Sequence, residues 1–260
     1  MSKTTYPDVT REAPFDPVRQ RRIGLALALT IVAAWLVLHV GAVFFFPLNW
    51  GTAPMAIAVV ALQTWLYVGL FIIAHDCMHG SLVPYQPSAN RGIGRACLLL
   101  YAGFSFDALN MAHHRHHRYS GTAGDPDFDD NPPYGYWRWF GKFFAEYFSW
   151  REAGIIVAVY VVYVFAIGAS PVNALVFWAV PALLSALQLF TFGTYLPHKP
   201  DGDGFADRHN ARTNDLPVWA SLLTCFHFGY HHEHHLYPTL PWWRLPEVRR
   251  ASRAGADHMI

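Results

Sequence analysis

Four long apolar stretches restrict this chain to folds that cross a lipid bilayer. A membrane-spanning helix needs about 17–25 predominantly apolar residues, and each stretch has or nearly has that length. They run approximately from Ile23 to Phe46, from Ala53 to Ala74, from Gly154 to Ala169 and from Val172 to Leu196. Charged residues make up only 14% of the 260 residues, against about 25% in soluble domains. We therefore predict an all-α membrane protein in which residues 1–260 form a single domain with four transmembrane helices.

Basic residues predict the orientation of these helices. The loops of residues 47–54 and 168–173 contain no Lys or Arg, whereas the other three flanks contain nearly all of them. Because cytoplasmic loops carry the excess of Lys and Arg, we expect a multi-pass protein of the inner membrane whose termini and long middle loop are cytoplasmic. Residues 1–22 then form a cytoplasmic tail. The net charge of +1 gives no reason to expect a nucleic-acid partner.

Two further segments lie between the second and third spans. Arg91–Met111 is apolar but is interrupted by three glycines and an aspartate, so we predict a re-entrant or interfacial helix rather than a fifth span. Tyr134–Trp150 combines many aromatic residues with scattered charges, which is typical of helices in the membrane interface. Pro181 lies inside the fourth span and is predicted to kink it, because proline cannot donate a helical hydrogen bond.

Three dense histidine motifs follow the predicted cytoplasmic ends of the helices and form a histidine-rich cap. An HxxxH motif occupies His75–His79, and two HxxHH motifs occupy His113–His117 and His231–His235. Residues spaced i, i+3 and i+4 share one face of a helix, so the imidazoles of each motif can reach a common site. His114 is the exception in its motif, since it points about 100° away from that face.

Two single histidines accompany these motifs. His198 lies where the fourth span ends, and His227 lies one helical turn before His231 on the same predicted face. The candidate metal ligands are His75, His79, His113, His116, His117, His198, His231, His234 and His235. Nine imidazoles are enough for two metal ions with open positions, whereas a structural zinc site closes with four ligands. Imidazole suits iron, zinc, copper and nickel alike, so the spacing leaves the identity of the metal open.

Each ligand imidazole needs an acceptor that orients its second ring nitrogen. The acidic residues close to the motifs are Asp76, Asp107, Asp125, Asp127 and Glu233. Asp129 and Asp130 are assigned to a polar turn instead. His39, His209 and His258 lie apart from the motifs in the sequence, and we predict that they are unrelated to the site.

The three histidine motifs together resemble those of the membrane fatty acid desaturase and hydroxylase superfamily. Four segments are similar to the bacterial β-carotene ketolases within it: HDCMHG (His75–Gly80), HHRHHRYSGTAGDPDF (His113–Phe128), TFGTYLPHKP (Thr191–Pro200) and FHFGYHHEHHLYP (Phe226–Pro238). The resemblance extends from the first span to about Pro246. Cys77 departs from the pattern, which has a small residue such as alanine at this place.

This resemblance implies a di-iron centre held by the nine histidines, with His227 as a possible tenth ligand, and O2 as cosubstrate. The implied reaction introduces keto groups at C4 of β-ionone rings by two successive hydroxylations and a loss of water. It converts β-carotene through echinenone to canthaxanthin, and zeaxanthin to astaxanthin. Candidate contacts for the polyene are Trp65, Phe71, Phe104, Phe106 and Tyr195. Since the chain has no flavin fingerprint, cytochrome domain or cysteine cluster, an external electron donor such as ferredoxin is also implied.

Other functions share part of this pattern. An acyl-lipid desaturase or hydroxylase and a carotenoid ring hydroxylase would carry the same histidine spacing, and only the quoted segments argue against them. A membrane metal transporter is a more remote alternative, because transporters place ionisable groups near the middle of the bilayer. Among histidine and charged residues, the predicted spans contain only the near-terminal His39, and the polar residues Gln63 and Gln188 are uncharged.

Overall fold

Every regular element in the described part of the chain is a helix. The computed structural model describes residues 16–202 and 204–257. His258 and most of the predicted N-terminal tail lie outside these residues. The helices run as α1 (Pro17–Phe45), α2 (Trp50–Met78), α3 (Pro87–Ala102), α4 (Phe106–Tyr119), α5 (Tyr136–Tyr147), α6 (Trp150–Ile167), α7 (Pro171–His198), α8 (Val218–Cys225), α9 (His231–Leu236) and α10 (Leu245–Asp257).

Four of these helices, α1, α2, α6 and α7, are long and apolar enough to cross a membrane, which confirms the predicted fold class. The first span begins earlier than predicted, because the side chain of Asp16 accepts hydrogen bonds from the backbone N–H groups of Val18 and Arg19. Pro17 occupies the first turn, where its missing N–H costs nothing. Residues 17–22 therefore belong to the helix and not to the tail.

Contacts between helix ends define the two ends of the bundle. Gln20 donates a hydrogen bond of 2.7 Å to the carbonyl of Ser81, so the start of α1 lies beside the end of α2. Arg151, at the start of α6, donates to the carbonyl of Gly103 at 2.9 Å. At the other end of α1, Asn173 donates to the carbonyl of Phe46 at 2.9 Å. The start of α1 and the end of α2 therefore lie together, and the end of α1 lies beside the start of α7.

The predicted re-entrant segment consists of two helices and not one. Helices α3 and α4 meet at an angle of 101°. Gly103 ends α3 in the left-handed conformation, with φ of 75°, and Ser105 caps α4 by accepting from the N–H of Ala108. No straight fifth span forms here, as predicted. The bend turns α4, with its HxxHH motif, across the end of α2.

Helix α7 accommodates Pro181 by a change of helix type. The segments Leu175–Ala179 and Phe190–Tyr195 are π-helical, and α-helix continues between them. Pro181 is an early residue of that α-helical segment, directly after a π-turn, where the ordinary hydrogen-bond pattern is already interrupted. The span continues through to His198 as one helix.

Helices approach one another closely at Gly94, where α3 lies against α2 and the start of α4. A Cβ atom at Gly94 would lie 2.2 Å from the ring of Phe106 and 3.1 Å from the Cβ of Cys77.

We expect Gly94→Ala to reduce stability by about 1–3 kcal/mol, the usual cost of overpacking, measured as a lower unfolding midpoint in detergent. Gly92→Ala is the matched control, since no atom lies within 4 Å of its Cβ position and alanine favours the helix. Equal midpoints for the two variants would contradict this packing.

Candidate metal centre

The nine predicted ligand histidines converge at one end of the bundle. They come from the end of α2, the second half of α4, the end of α7 and the whole of α9. These four segments start from distant parts of the sequence, and the bend between α3 and α4 and the turn before α9 bring them together. The side chains form two groups, in each of which the potential ligand atoms lie within 4.8 Å of one another.

The first histidine group contains five imidazoles. Its members are His75, His79, His113, His117 and His234. The Nε2 atoms of His79 and His113 lie 2.7 Å apart, and those of His117 and His234 lie 2.9 Å apart. His75 completes the group, with its Nε2 3.2 Å from that of His234.

The second histidine group contains four buried imidazoles. Its members are His116, His198, His231 and His235. The Nε2 atom of His235 lies 3.2 Å from that of His116 and 3.1 Å from that of His231. The two groups are neighbours, because the rings of His117 and His235 stack with centroids 4.2 Å apart.

Neighbouring histidines of the HxxHH motifs point to different groups. His116 belongs to the second group and His117 to the first, and His234 and His235 divide in the same way. Consecutive residues of a helix project about 100° apart, so one helix can serve two adjacent sites. Helix α4 gives two histidines to the first group and one to the second, and α9 does the reverse.

The distances and charges fit a bound cation. Around an ion with metal–nitrogen bonds of about 2.0–2.1 Å, neighbouring ligand nitrogens are separated by about 3 Å, which matches both groups. Metal ligation requires neutral imidazole. Burial first, and then repulsion from neighbouring imidazoles, lower the pKa of His79, His113, His117, His231, His234 and His235 well below its usual value. These side chains are therefore neutral at pH 7 with their lone pairs available. The assignment of all nine as ligands stays a prediction.

His116 has the predicted kind of acceptor. Its Nδ1 lies 2.9 and 3.0 Å from the two carboxylate oxygens of Asp125, and Asp125 is itself held by the backbone N–H groups of Gly121 and Asp127. Burial lowers the pKa of His116, but the charge and hydrogen bond of Asp125 raise it more, and the net pKa is raised. This contact fixes the proton on Nδ1 and directs Nε2 toward the second group.

His198 is oriented by a residue that the sequence did not indicate. Its Nδ1 lies 2.7 Å from the backbone carbonyl of Asn210, while its buried Nε2 has no hydrogen-bond partner. A buried polar atom without a partner is costly, and a metal ion would satisfy this one. The acceptor is a main-chain atom, which any residue type provides, so no sequence signal marks Asn210.

Most of the other predicted acceptors have different partners. Asp76 lies 3.8 Å from Nδ1 of His75, too far for a hydrogen bond, and accepts instead from the backbone N–H of Trp242. The remaining acceptors are bound as follows: Glu233 to Thr213 and Arg249, Asp107 to Arg91 and Arg95, and Asp127 to Tyr147. For these four residues, proximity in sequence was a poor guide to the contacts.

His227 does not share a helix face with His231, which corrects the prediction. Helix α8 ends at Cys225, α9 begins at His231, and His227 lies in the turn between them with φ of 63°. It belongs to neither group, and its Nδ1 lies 3.2 Å from the hydroxyl of Ser221.

The other excluded histidines occupy three different surroundings. His114 is exposed and contacts the carbonyl of Asn110, as expected from its direction on α4. His39 is buried near the far end of α1, 3.1 Å from the hydroxyl of Tyr163. His209 lies closer to the site than predicted, with its ring centroid 5.9 Å from that of His235.

An apolar cavity opens onto the histidines. His113, His116 and His231 line one part of its wall, and most of the remaining wall is apolar or aromatic. Of the five predicted polyene contacts, Phe71 and Phe104 line it. Trp65, Phe106 and Tyr195 pack elsewhere, against Phe226, Gly94 and Trp139.

Helix α5 contributes a wall of this cavity that sequence analysis did not assign. Phe143, Phe144 and Tyr147 face the cavity, and Trp139 anchors the helix through a hydrogen bond of 2.7 Å to the carbonyl of Asp127. The aromatic content of this segment was the available signal, but it was interpreted only as a preference for the membrane interface.

Comparison with known proteins identifies relatives over nearly the whole chain. Residues 48–151 and 131–259 match the family model described as fatty acid desaturase, and all nine histidines lie within them. A protein named beta-carotene ketolase from a Paracoccus species is 52% identical over 84% of this chain and 89% of its own length. Another of that name, from a second Paracoccus strain, is 49% identical over 88% and 93%. A zeaxanthin 4-ketolase from Chlamydomonas reinhardtii is 35% identical over 93% of this chain and 56% of its own.

The two histidine groups predict two separable metal sites. We expect the double variant His79→Ala/His113→Ala, in the first group, and the double variant His198→Ala/His231→Ala, in the second, each to retain about one metal ion per chain, against two in the parent, because each removes ligands from one group only. Metal content of the purified protein by mass spectrometry gives the ratio. His114→Ala is the control and should retain both ions. Loss of both ions in both double variants would indicate one indivisible site.

The hydrogen bond between Asp125 and His116 predicts that Asp125 affects metal affinity although it is not itself a proposed ligand. In Asp125→Ala, Nδ1 of His116 loses its acceptor, and we expect metal affinity to fall by about 10–100-fold, as is usual for such contacts. Competition with a coloured chelator measures this. Asp130→Ala, on the same loop but exposed, should bind metal like the parent. Unchanged affinity in Asp125→Ala would mean that this carboxylate does not orient His116.

Proposed function

The chain belongs to the fatty acid desaturase family, and we propose that it is an O2-dependent carotenoid ketolase with two iron ions in its histidine groups. Its relatives named beta-carotene ketolase and zeaxanthin 4-ketolase support this choice within the family. The proposed reaction adds keto groups at C4 of β-ionone rings through two hydroxylations and a loss of water. The products are echinenone and canthaxanthin from β-carotene, and astaxanthin from zeaxanthin.

The observation that carries this proposal is the opening of the apolar cavity onto both histidine groups. His113 of the first group and His116 and His231 of the second group line it beside Phe71 and Phe104. Such a wall suits a hydrocarbon ring, because burial of apolar surface stabilises the bound state by about 25 cal/mol per Å². The ring methylene would then face the histidine end of the cavity.

A second cavity supports entry of the substrate from the lipid. It shares Tyr101, Phe104, Phe144, Phe148 and Ala186 with the first. It also reaches Leu183, whose side chain is exposed on the surface of α7. With α7 crossing the bilayer, the two cavities together would give a long polyene a path from the lipid to the histidines.

The chain's own residues have positioning roles in this proposal. Iron and dioxygen would supply the oxidation of the C–H bond, and electrons would come from an external donor such as ferredoxin. Asp125 holds His116 in one orientation, Phe228 packs against the rings of His75, His231 and His234, and the aromatic wall excludes water. Such exclusion protects reactive chemistry from side reactions.

The proposed location is the inner membrane, with the histidine cap on the cytoplasmic side. The distribution of Lys and Arg supports this orientation. A soluble cytoplasmic electron donor would then reach the side of the bundle that holds the metal sites. An acyl chain would also fit an apolar cavity, but the names of the relatives favour a carotenoid ring.

Expression in bacteria that make β-carotene tests the activity. We expect the pigment to change from yellow-orange to red, and chromatography with mass spectrometry to identify echinenone and canthaxanthin. His113→Ala should abolish the ketones because it removes a proposed ligand, whereas His114→Ala, at the next position of the same helix but exposed, should retain them. Unchanged carotenoids together with newly unsaturated lipids would identify a desaturase instead.

A further inference from the structure

Asp127 is the one acidic residue among the side chains that line the main cavity. Its side chain is 13% exposed and lies beside the histidine end, with Oδ2 3.7 Å from Nδ1 of His116. Most of the wall around it is apolar or aromatic. An acidic group at such a place is costly unless it is hydrogen-bonded, so its contacts indicate whether it serves the fold or an occupant of the cavity.

In the described part of the chain, Oδ1 of Asp127 has a hydrogen-bond partner, and none is observed for Oδ2. Tyr147 donates its hydroxyl hydrogen to Oδ1, and the backbone atoms of Asp127 bind Trp139 and Asp125. These contacts fix the residue firmly in the wall. In the described part of the chain, none of the observed hydrogen bonds ends on Oδ2, and this oxygen is not among the fully buried unpartnered atoms.

The orientation of His116 does not require Asp127. Nδ1 of His116 carries one hydrogen, and Asp125 already accepts it at 2.9 Å. The distance of 3.7 Å from Asp127 is too long for a hydrogen bond. Asp127 is therefore held in place by Tyr147 with one oxygen left to accept a hydrogen bond at the cavity.

The chemistry of the substrate offers a matching donor. C3 of a β-ionone ring is bonded to C4, the carbon that is oxidised, and zeaxanthin carries its hydroxyl groups on C3. With C4 directed to the histidines, a C3 hydroxyl lies at the same end of the cavity as Asp127. We propose that Asp127 accepts a hydrogen bond from the C3 hydroxyl group and so makes the enzyme favour 3-hydroxylated rings over unsubstituted ones. This inference rests on the proposed ketolase function.

A site built to hydrogen-bond a hydroxyl group discriminates well against the analogue that lacks it, because the polar group of the site is then left unpaired. Thr194, on α7, also lines the cavity and carries a hydroxyl group. It provides an internal comparison, since it has no contact with the loop that carries Asp127 among the observed hydrogen bonds of the described residues.

The test is a competition between zeaxanthin and β-carotene in membranes that contain the full chain, an electron donor and O2. The quantity measured is the ratio of ketone formation from the two substrates. Asp127→Leu keeps the shape of the side chain without an acceptor, and we expect it to lower the ratio by about tenfold, the effect of one lost hydrogen bond. Asp127→Asn, which keeps an acceptor oxygen, should stay near the parent ratio, and Asp130→Leu should equal it.

A second measurement uses only the parent protein, so its result does not depend on whether a variant folds. The dimethyl ether of zeaxanthin has no hydroxyl hydrogen to donate, so the parent protein should convert it about tenfold less well than zeaxanthin. An equal rate for the two compounds would overturn the proposal. The proposal would also be overturned if Asp127→Leu lost activity on zeaxanthin and on β-carotene equally. A changed ratio in Thr194→Val together with an unchanged ratio in Asp127→Leu would overturn it as well. Failure of the parent to form ketones from either carotenoid would refute the ketolase function itself.

Discussion

The rest of this structure depends on the close packing of neutral imidazoles in a space that excludes water. Nitrogen atoms that carry lone pairs lie about 3 Å apart, and such atoms repel one another unless a proton or a cation lies between them. Burial and mutual repulsion oppose protonation of most of them, so the imidazoles are in the neutral form that a metal cation requires. The bent pair α3–α4, the π-helical turns of α7 and the short helix α9 all serve to bring these nitrogens to one place.

Helix geometry explains why a small number of helices is enough to form two histidine groups. An HxxHH motif places its first and last histidines on one side and its fourth residue about 100° away, so each motif spans the boundary between the groups. Helices α4 and α9 do this in complementary ways, with His117 and His235 stacked at the boundary. The two histidine groups are therefore adjacent, because each HxxHH motif contributes to both.

The sequence predicted the spans well, because they depend on a pattern that a single segment carries. It predicted one common site for the histidines of each HxxHH motif, whereas the structure divides them between two groups. It predicted contacts between segments poorly. Asp125 meets His116 because a turn bonded through Gly121 carries it there, whereas Asp76 and Glu233, which are adjacent to ligands in the sequence, project to other partners. His227 was misplaced because the chain reverses direction at Phe226 and His227 with positive φ, a conformation that is uncommon outside glycine and asparagine. The cavity arises from the packing of α5 against α7, which no local pattern encodes.

The loop of residues 120–128 connects the metal sites with the cavity. Asp125 and Asp127 are two residues apart, the first bound to His116 and the second bound to Tyr147 of the cavity wall. The backbone N–H of Asp127 also donates to the carboxylate of Asp125, so the two side chains cannot move independently. A ring that contacts Asp127 is thereby positioned relative to the same loop that orients a proposed metal ligand. Under the proposed function, the hydrogen bonds of this loop would supply the direction that holds one ring carbon at the histidines, since apolar contacts alone are non-directional.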